Sequence, residues 1–174
     1  MRIIIGNCLS IVAAVFMSLA AMVSGRRRVF IFQTFDCIFL GTAQLVFGIP
    51  SGAISLFVGA ARNITAVFTR YNLCTMLLFS CAILILGIAS NTAGLLGLVP
   101  VLASLILTVG IFFARSRLAL KLVLLVNLSL WSSYSFFVYD ITTGITNLVS
   151  AIICLASLVV LLLKQTGKKL IKRA

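Results

Sequence analysis

The chain of 174 residues is 63% hydrophobic and only 9% charged, and its net charge is +12. Soluble domains are roughly half apolar and a quarter charged, so this composition excludes a soluble fold. The chain has no histidine, and its only carboxylates are Asp36 and Asp140. Acid–base catalysis and metal hydrolysis need such groups in clusters. We therefore predict that the protein is not an enzyme and that it uses no cofactor and no metal.

Seven apolar stretches have roughly the length that a helix needs to cross the hydrocarbon core of a bilayer, which is about twenty residues. Only a few residues connect each stretch to the next, so consecutive helices must run antiparallel. We predict an all-α polytopic membrane protein with seven transmembrane helices. The predicted spans are residues 6–23, 29–47, 52–69, 73–89, 95–113, 118–138 and 144–163.

The basic residues gather at alternate connections, whereas the turns between them carry no lysine or arginine. Positive residues stay on the cytoplasmic side of a membrane, so the pattern places the amino terminus outside and the carboxyl terminus in the cytoplasm. Anionic lipids of the inner leaflet, not nucleic acid, are then the expected partner of the positive charge. The residues concerned are Arg26, Arg27, Arg28, Arg70, Arg115, Arg117, Lys121, Lys164, Lys168, Lys169, Lys172 and Arg173.

The chain also repeats itself weakly. The pattern Ile49-x-x-Gly52-x-x-x-Leu56 recurs as Ile141-x-x-Gly144-x-x-x-Leu148, and the basic run at residues 26–28 is echoed at residues 115–117. We predict a 3-1-3 arrangement: a first three-helix unit (residues 1–70), a linker helix (71–92), a second three-helix unit (93–163) and a basic cytoplasmic tail (164–174). One intervening span gives both units the same orientation, and parallel repeats of this kind enclose a cavity.

The stretch from Phe47 to Ala53, the segment Ala61-Arg62-Asn63 and the segment Val99-Pro100-Val101 resemble the YgjV-type bacterial inner-membrane proteins. The resemblance covers almost the whole chain. That family is similar in layout to the SWEET and PQ-loop (MtN3-like) transporters, which implies a 3-1-3 bundle in the bacterial inner membrane with a substrate between the units. The chain lacks the proline–glutamine pair of those transporters, because Pro100 is followed by Val101.

Two charged residues fall at similar depth in the membrane. Asp36 and Arg62 lie at comparable distances before and after Pro50, which predicts an ion pair between helices two and three. One interpretation is that this pair only fastens the two helices. In a second, Arg62 and the adjacent Asn63 face a central cavity while Asp36 tunes its charge or carries a proton. In a third, Arg62 extends to the cytoplasmic surface and Asp36 pairs elsewhere.

Helix six presents Asn127, Trp131 and Tyr134 at spacings of four and three, which places them on one helical face. Such a face can line a path for a neutral polar solute, although small hydroxyl residues and interfacial aromatics also serve plain packing. Asp140 follows in an outer turn, where we expect it to be solvated.

We conclude from the sequence that the protein is a facilitator or secondary transporter of a small polar solute, with a sugar as one candidate, and that it works by alternating access. The substrate-binding candidates are Asp36, Arg62, Asn63, Asn127, Trp131 and Tyr134. The alternative is a membrane protein that transports nothing and docks partners or anionic lipids on its basic cytoplasmic face. The sequence leaves a homo-oligomer open.

Overall fold

The computed structural model describes residues 1–22, 26–69, 72–114 and 116–171 of the chain. It contains seven helices: α1 (Arg2–Met22), α2 (Arg26–Phe47), α3 (Pro50–Phe68), α4 (Leu73–Ala89), α5 (Gly94–Phe113), α6 (Arg117–Phe137) and α7 (Ile141–Ile171). Arg70, Arg115, Lys172 and Arg173 lie outside the described residues. The side chains at 21, 22, 26, 117 and 164–171 do as well.

Each predicted apolar stretch coincides with one helix, so the all-α membrane fold is confirmed. Six helices are long and apolar enough to cross a membrane, and only α4 is shorter, at 17 residues. At a rise of 1.5 Å per residue α4 is about 25 Å long, which is the lower limit for a span. Residues 164–171, predicted as part of a separate tail, continue α7 as helix.

The connections between helices are tight because specific residues permit the turns. Gly48 has φ of 84°, a conformation that glycine adopts without strain, and Pro50 then begins α3 at a position where its missing N–H costs nothing. At the other end of α3, Asn72 begins α4 with a capping box to Thr75. Several helices begin a few residues earlier than predicted, so the loops between them are shorter than the predicted ones.

Six of the helices form a closed ring, in the order α1, α2, α3, α5, α6, α7 and back to α1. Each helix of the ring contacts the next one in this order. Helix α4 lies outside the ring and, among the described residues, contacts only α3 and α5. No contact joins α1 to α3 or α5 to α7 in those residues. The centre of the molecule is therefore shared by six helices and does not include α4.

Contacts between ring neighbours fix the direction of the helices. Gly97 near the start of α5 lies close to Ser51 near the start of α3, since a Cβ atom on Gly97 would be 3.1 Å from Ser51 Oγ. Further along the same two helices, Arg62 of α3 donates a hydrogen bond to Thr108 of α5. The starts of α3 and α5 are therefore adjacent, and both run in the same direction. Asn7, near the start of α1, accepts a hydrogen bond from the hydroxyl of Thr142 near the start of α7 at 2.9 Å.

These directions define two faces of the bundle. The first face holds the start of α1 and the connections α2–α3, α4–α5 and α6–α7. The second face holds the connections α1–α2, α3–α4 and α5–α6 together with the end of α7. Because α3 and α5 both run from the first face to the second, α4 must return the chain over the same thickness despite its length.

Burial is distributed as expected for a membrane protein. Large apolar side chains such as Ile85, Ile153 and Leu163 are exposed on the outside of the bundle, where lipid would surround them. Polar side chains are turned inward instead. Buried polar residues of the ring include Ser10, Gln44, Ser55, Arg62, Asn63, Ser104, Thr108, Asn127, Ser132, Ser135, Thr143 and Asn147.

Candidate functional site

A cavity of about 80 Å³ lies at the centre of the six-helix ring. All six ring helices contribute to its walls, and no described residue of α4 does. The walls combine apolar residues such as Leu56 and Leu128 with many hydrogen-bonding groups. The polar lining residues are Ser10, Gln33, Asp36, Ser55, Arg62, Asn63, Ser104, Asn127, Thr143, Thr146 and Asn147.

Arg62 is the buried cation of this cavity, with only 4% of its surface exposed. Its Nη1 donates to Thr108 Oγ1 of α5 at 2.8 Å, and its Nη2 donates to Asn63 Oδ1 at 3.1 Å. Thr108 in turn donates to the Ser104 carbonyl at 2.7 Å. Hydrogen bonds from a charged donor are about twice as strong as neutral ones, so these contacts hold the guanidinium beside the cavity.

Asp36 of α2 lines the same cavity and is half-buried. The cavity wall thus contains one carboxyl group and one guanidinium. Asn63, which is next to Arg62 on α3, connects this helix to α2, since its amide donates to Cys37 Sγ at 3.8 Å. The direct ion pair between Asp36 and Arg62 stays a prediction.

The predicted face of α6 points to the centre of the ring. Asn127 and Trp131 line the cavity, and the Asn127 amide donates to the Ala103 carbonyl of α5 at 2.7 Å. Tyr134 lies one turn closer to the first face, outside the cavity wall, with its ring edge-on to Trp131 at 5.7 Å between centroids. Five of the six predicted site residues therefore surround one cavity, and Tyr134 lies next to it.

Three buried side chains, Gln44, Tyr134 and Asp140, lie between the cavity and the first face, and we call them the first-face cluster. Tyr134 Oη donates to Gln44 Oε1 at 3.1 Å, and Gln44 Nε2 donates to Asp140 Oδ2 at 3.3 Å. Gln44 and Asp140 are fully buried. Because α2 and α6 lie on opposite sides of the ring, this cluster bridges its centre.

The structure corrects the expectation that Asp140 is solvated, because the residue has no exposed surface. Tyr139 adopts φ of 61° and is turned outward, which directs Asp140 inward at the start of α7. There the carboxylate accepts a hydrogen bond from the backbone N–H of Thr143 at 3.2 Å, as an N-cap residue does. The turn thus places the second carboxylate of the chain above the cavity.

Burial has a direct electrostatic effect on Asp140. Loss of hydration raises the pKa of this carboxyl above its ordinary value of 3.8, although hydrogen bonds from Thr143 and Gln44 act in the opposite direction. Tyr134 is the titratable group facing it from α6. Asp140 is therefore more easily protonated than a solvated aspartate.

Sequence reasoning missed several residues of the site. The sequence analysis does not single out Gln44, although its place two turns after Asp36 puts it near the same helical face. Ser55, Thr143 and Asn147 also line the cavity. The Ser55 hydroxyl is fully buried and makes no hydrogen bond with a described group.

The ring of spanning helices, the apolar exterior and the buried polar centre define a polytopic α-helical membrane protein. The Imp-YgjV family, described as bacterial inner membrane protein, matches residues 4–165. The chain belongs to this family and is a multi-pass protein of the bacterial inner membrane, which confirms the resemblance found in the sequence. No curated protein and no solved structure matches the chain.

Proposed function

We propose that this protein is a transporter or facilitator of a small polar solute, which binds in the central cavity. The observation that carries the proposal is the cavity itself, with Asp36, Arg62, Asn63 and Asn127 in its wall at membrane depth. Placing charged groups in the membrane costs about 2.5–3.5 kcal/mol each on insertion scales, and such residues commonly mark a transport path. A bundle held together by packing alone would need neither the charges nor the space.

The proposed mechanism is alternating access between a first unit (residues 1–70) and a second unit (93–163), with residues 71–92 as linker. The helix contacts support this division. In this division α1, α2 and α3 of the first unit correspond in order to α5, α6 and α7 of the second. Each unit then contacts the other in the same way, because its last helix packs on the first helix of the other unit, as α3 does on α5 and α7 on α1. The position of α4 outside the ring also fits a linker that restores the orientation of the second unit.

We infer that the first face is the exterior and the second face the cytoplasm, with the amino terminus outside. Arg27 and Arg28 are exposed at the second face, where α3, α5 and α7 also end. The positive-inside rule then gives the orientation. The first-face cluster would close the cavity to the exterior, and its Gln44–Tyr134 bond would break when the two units rock apart.

Transport is tested by reconstituting the protein into liposomes and following uptake of a panel of solutes. We expect uptake of at least one polar solute above that of protein-free vesicles. Replacing Asp36 by asparagine should abolish it while the protein remains folded and monodisperse. Ser129 is on α6 but exposed, so Ser129→Ala serves as a control and should transport normally. Loss of folded protein in D36N would instead indicate that Asp36 only fastens helices.

The docking function remains a second proposal, supported by the exposed Arg27 and Arg28 at the second face. Clustered cations near a membrane surface attract anionic lipids by about 1 kcal/mol each. If no solute moves in liposomes and charge removal from residues 168–173 abolishes a cellular phenotype, docking becomes the better explanation. Normal uptake in that charge-removed variant would favour transport.

A further inference from the structure

We propose that the solute is uncharged, no larger than about urea, and recognised through hydroxyl or amide groups at the Ser55 end of the cavity. This inference rests on the proposed transport function and names the chemical class of its substrate. It depends on three features of the cavity: its volume, its charged residue and its buried hydroxyls that make no described bond, of which Ser55 is one beside Ser10 and Thr143.

The volume limits the size of the solute. A cavity of about 150 Å³ holds benzene, and pockets for larger ligands measure about 300–1,000 Å³. The cavity here measures about 80 Å³. This space matches a molecule of about half the bulk of benzene, such as urea or acetamide, more closely than it matches a sugar.

The charged residue in the wall favours a neutral solute. Arg62 contributes a positive charge, and its guanidinium already donates to Thr108 and Asn63. A cation entering this space would meet a like charge, and an anion would lose its hydration beside donors that already have acceptors. A neutral molecule with hydrogen-bonding groups loses far less.

The Ser55 hydroxyl provides an independent sign of a ligand. Its oxygen is buried in the cavity wall without a hydrogen-bond partner among the described groups, which is unfavourable for a polar atom. Trp131 and Asn147 line the same cavity from α6 and α7. A hydroxyl or amide of the solute would satisfy Ser55.

The prediction is tested by stopped-flow light scattering of proteoliposomes exposed to gradients of urea, acetamide, glucose or potassium chloride. We expect urea and acetamide to enter several-fold faster than in protein-free vesicles, and glucose and chloride to enter at the background rate. Ser55→Ala should slow urea entry roughly fivefold, as expected for loss of one hydrogen bond of about 1 kcal/mol.

Ser80→Ala is the matched control. Ser80 is also a buried serine whose hydroxyl makes no described hydrogen bond, but it lies on α4, away from the cavity. S80A should leave urea entry unchanged. In detergent, S55A should melt no lower than the parent protein, because it removes an unsatisfied group.

The outcomes separate this inference from the proposed function. Entry of glucose or chloride as fast as urea overturns the inference but leaves transport intact. Equal urea rates in S55A and the parent protein overturn the role of Ser55. Background rates for every solute overturn transport and the inference together.

Discussion

The two polar regions at the centre of this bundle use similar side chains for different arrangements. Around the cavity, Arg62 and Asn127 are held by hydrogen bonds to α5, yet space remains between the helices. In the first-face cluster, Gln44, Tyr134 and Asp140 bond to one another and no space is left. The difference shows that polar residues at membrane depth can either line a site or seal it.

This contrast gives each region its own experimental signature. Substitutions around the cavity should alter solute movement, and stability as well where they remove hydrogen bonds, whereas substitutions in the first-face cluster should alter closure and stability. The following predictions test that separation, beginning with the largest expected effect.

Replacing Arg62 by alanine should have the largest effect. The variant loses the bonds to Thr108 and Asn63. Bonds to charged groups contribute about 1.5–3 kcal/mol each, so we expect the free energy of unfolding to fall by about 3 kcal/mol. Unfolding in mixed micelles by SDS titration measures it.

The control for this prediction is Arg62→Lys, which keeps the charge but loses the planar arrangement of donors. It should fall between the parent protein and R62A. An R62A variant with the parental unfolding midpoint would show that the Thr108 and Asn63 contacts add nothing to stability.

Gly52→Ala should disturb the first-face cluster by overpacking. A Cβ atom at this position would lie 2.9 Å from Gln44 Oε1 and 3.0 Å from Tyr134 Oη. Inserting a methyl group into a packed centre costs about 1–3 kcal/mol, so the SDS unfolding midpoint should fall.

Gly59→Ala provides the comparison, because its Cβ would meet Cys37 Sγ at 3.7 Å and Arg62 Nη2 at 3.9 Å, which are ordinary contacts. Alanine is also the better helix former by about 1 kcal/mol. G59A should therefore be as stable as the parent protein or more so. Equal destabilisation by both variants would contradict the tight packing assigned to the first-face cluster.

The same contrast shows how far the sequence could predict this molecule. Apolar stretches identified all seven helices. The spacing of Asn127, Trp131 and Tyr134 predicted one shared face of α6, and the structure has the first two in the cavity wall. Helical periodicity carries this information within a single element. The fold class and the position of the polar residues at membrane depth could thus be inferred locally.

The first-face cluster could not be inferred in this way. It joins Gln44 to Tyr134 and Asp140 across 90 and 96 positions of sequence, and such pairings depend on how the ring closes. The position of Asp140 depended on one backbone angle at Tyr139. One local signal was present, because an aspartate immediately before a helix is a typical N-cap residue.

Tyr134→Phe should weaken closure of the cavity toward the first face. It removes the hydroxyl that donates to Gln44 Oε1, which leaves that buried oxygen without this donor. A loss of about 1 kcal/mol corresponds to a roughly fivefold increase in the open population. The measurement is labelling of Ser55→Cys by an impermeant thiol reagent from the first face, in a background without the five native cysteines.

Tyr139→Phe is the matched control for this labelling, because Tyr139 lies at the same face but is 69% exposed. Y139F should label at the parental rate. If Y134F and the parent label equally, the Gln44–Tyr134 bond does not limit access.

The smallest expected effect is a pH slope in stability caused by Asp140. Its pKa is raised in the folded protein because the carboxyl is buried, so the folded state binds the proton more tightly than the unfolded chain. Stability should therefore decrease as pH rises from the ordinary aspartate pKa of 3.8 through the raised value, and then level off. Asp140→Asn removes this slope. Because the chain has no histidine and only one other carboxylate, Asp36, few groups obscure the comparison.

Melting temperatures of the parent protein and D140N in detergent, taken from pH 4 to pH 8, test this slope. The amide of D140N can still accept the Thr143 bond, so the two proteins should melt alike at the acidic end and D140N should melt higher at neutral pH. An Asp36→Asn variant measured in parallel isolates the other carboxylate. If D140N keeps the parental slope, Asp140 does not titrate in the folded protein over this range, and the first-face cluster is insensitive to protons because it is sealed.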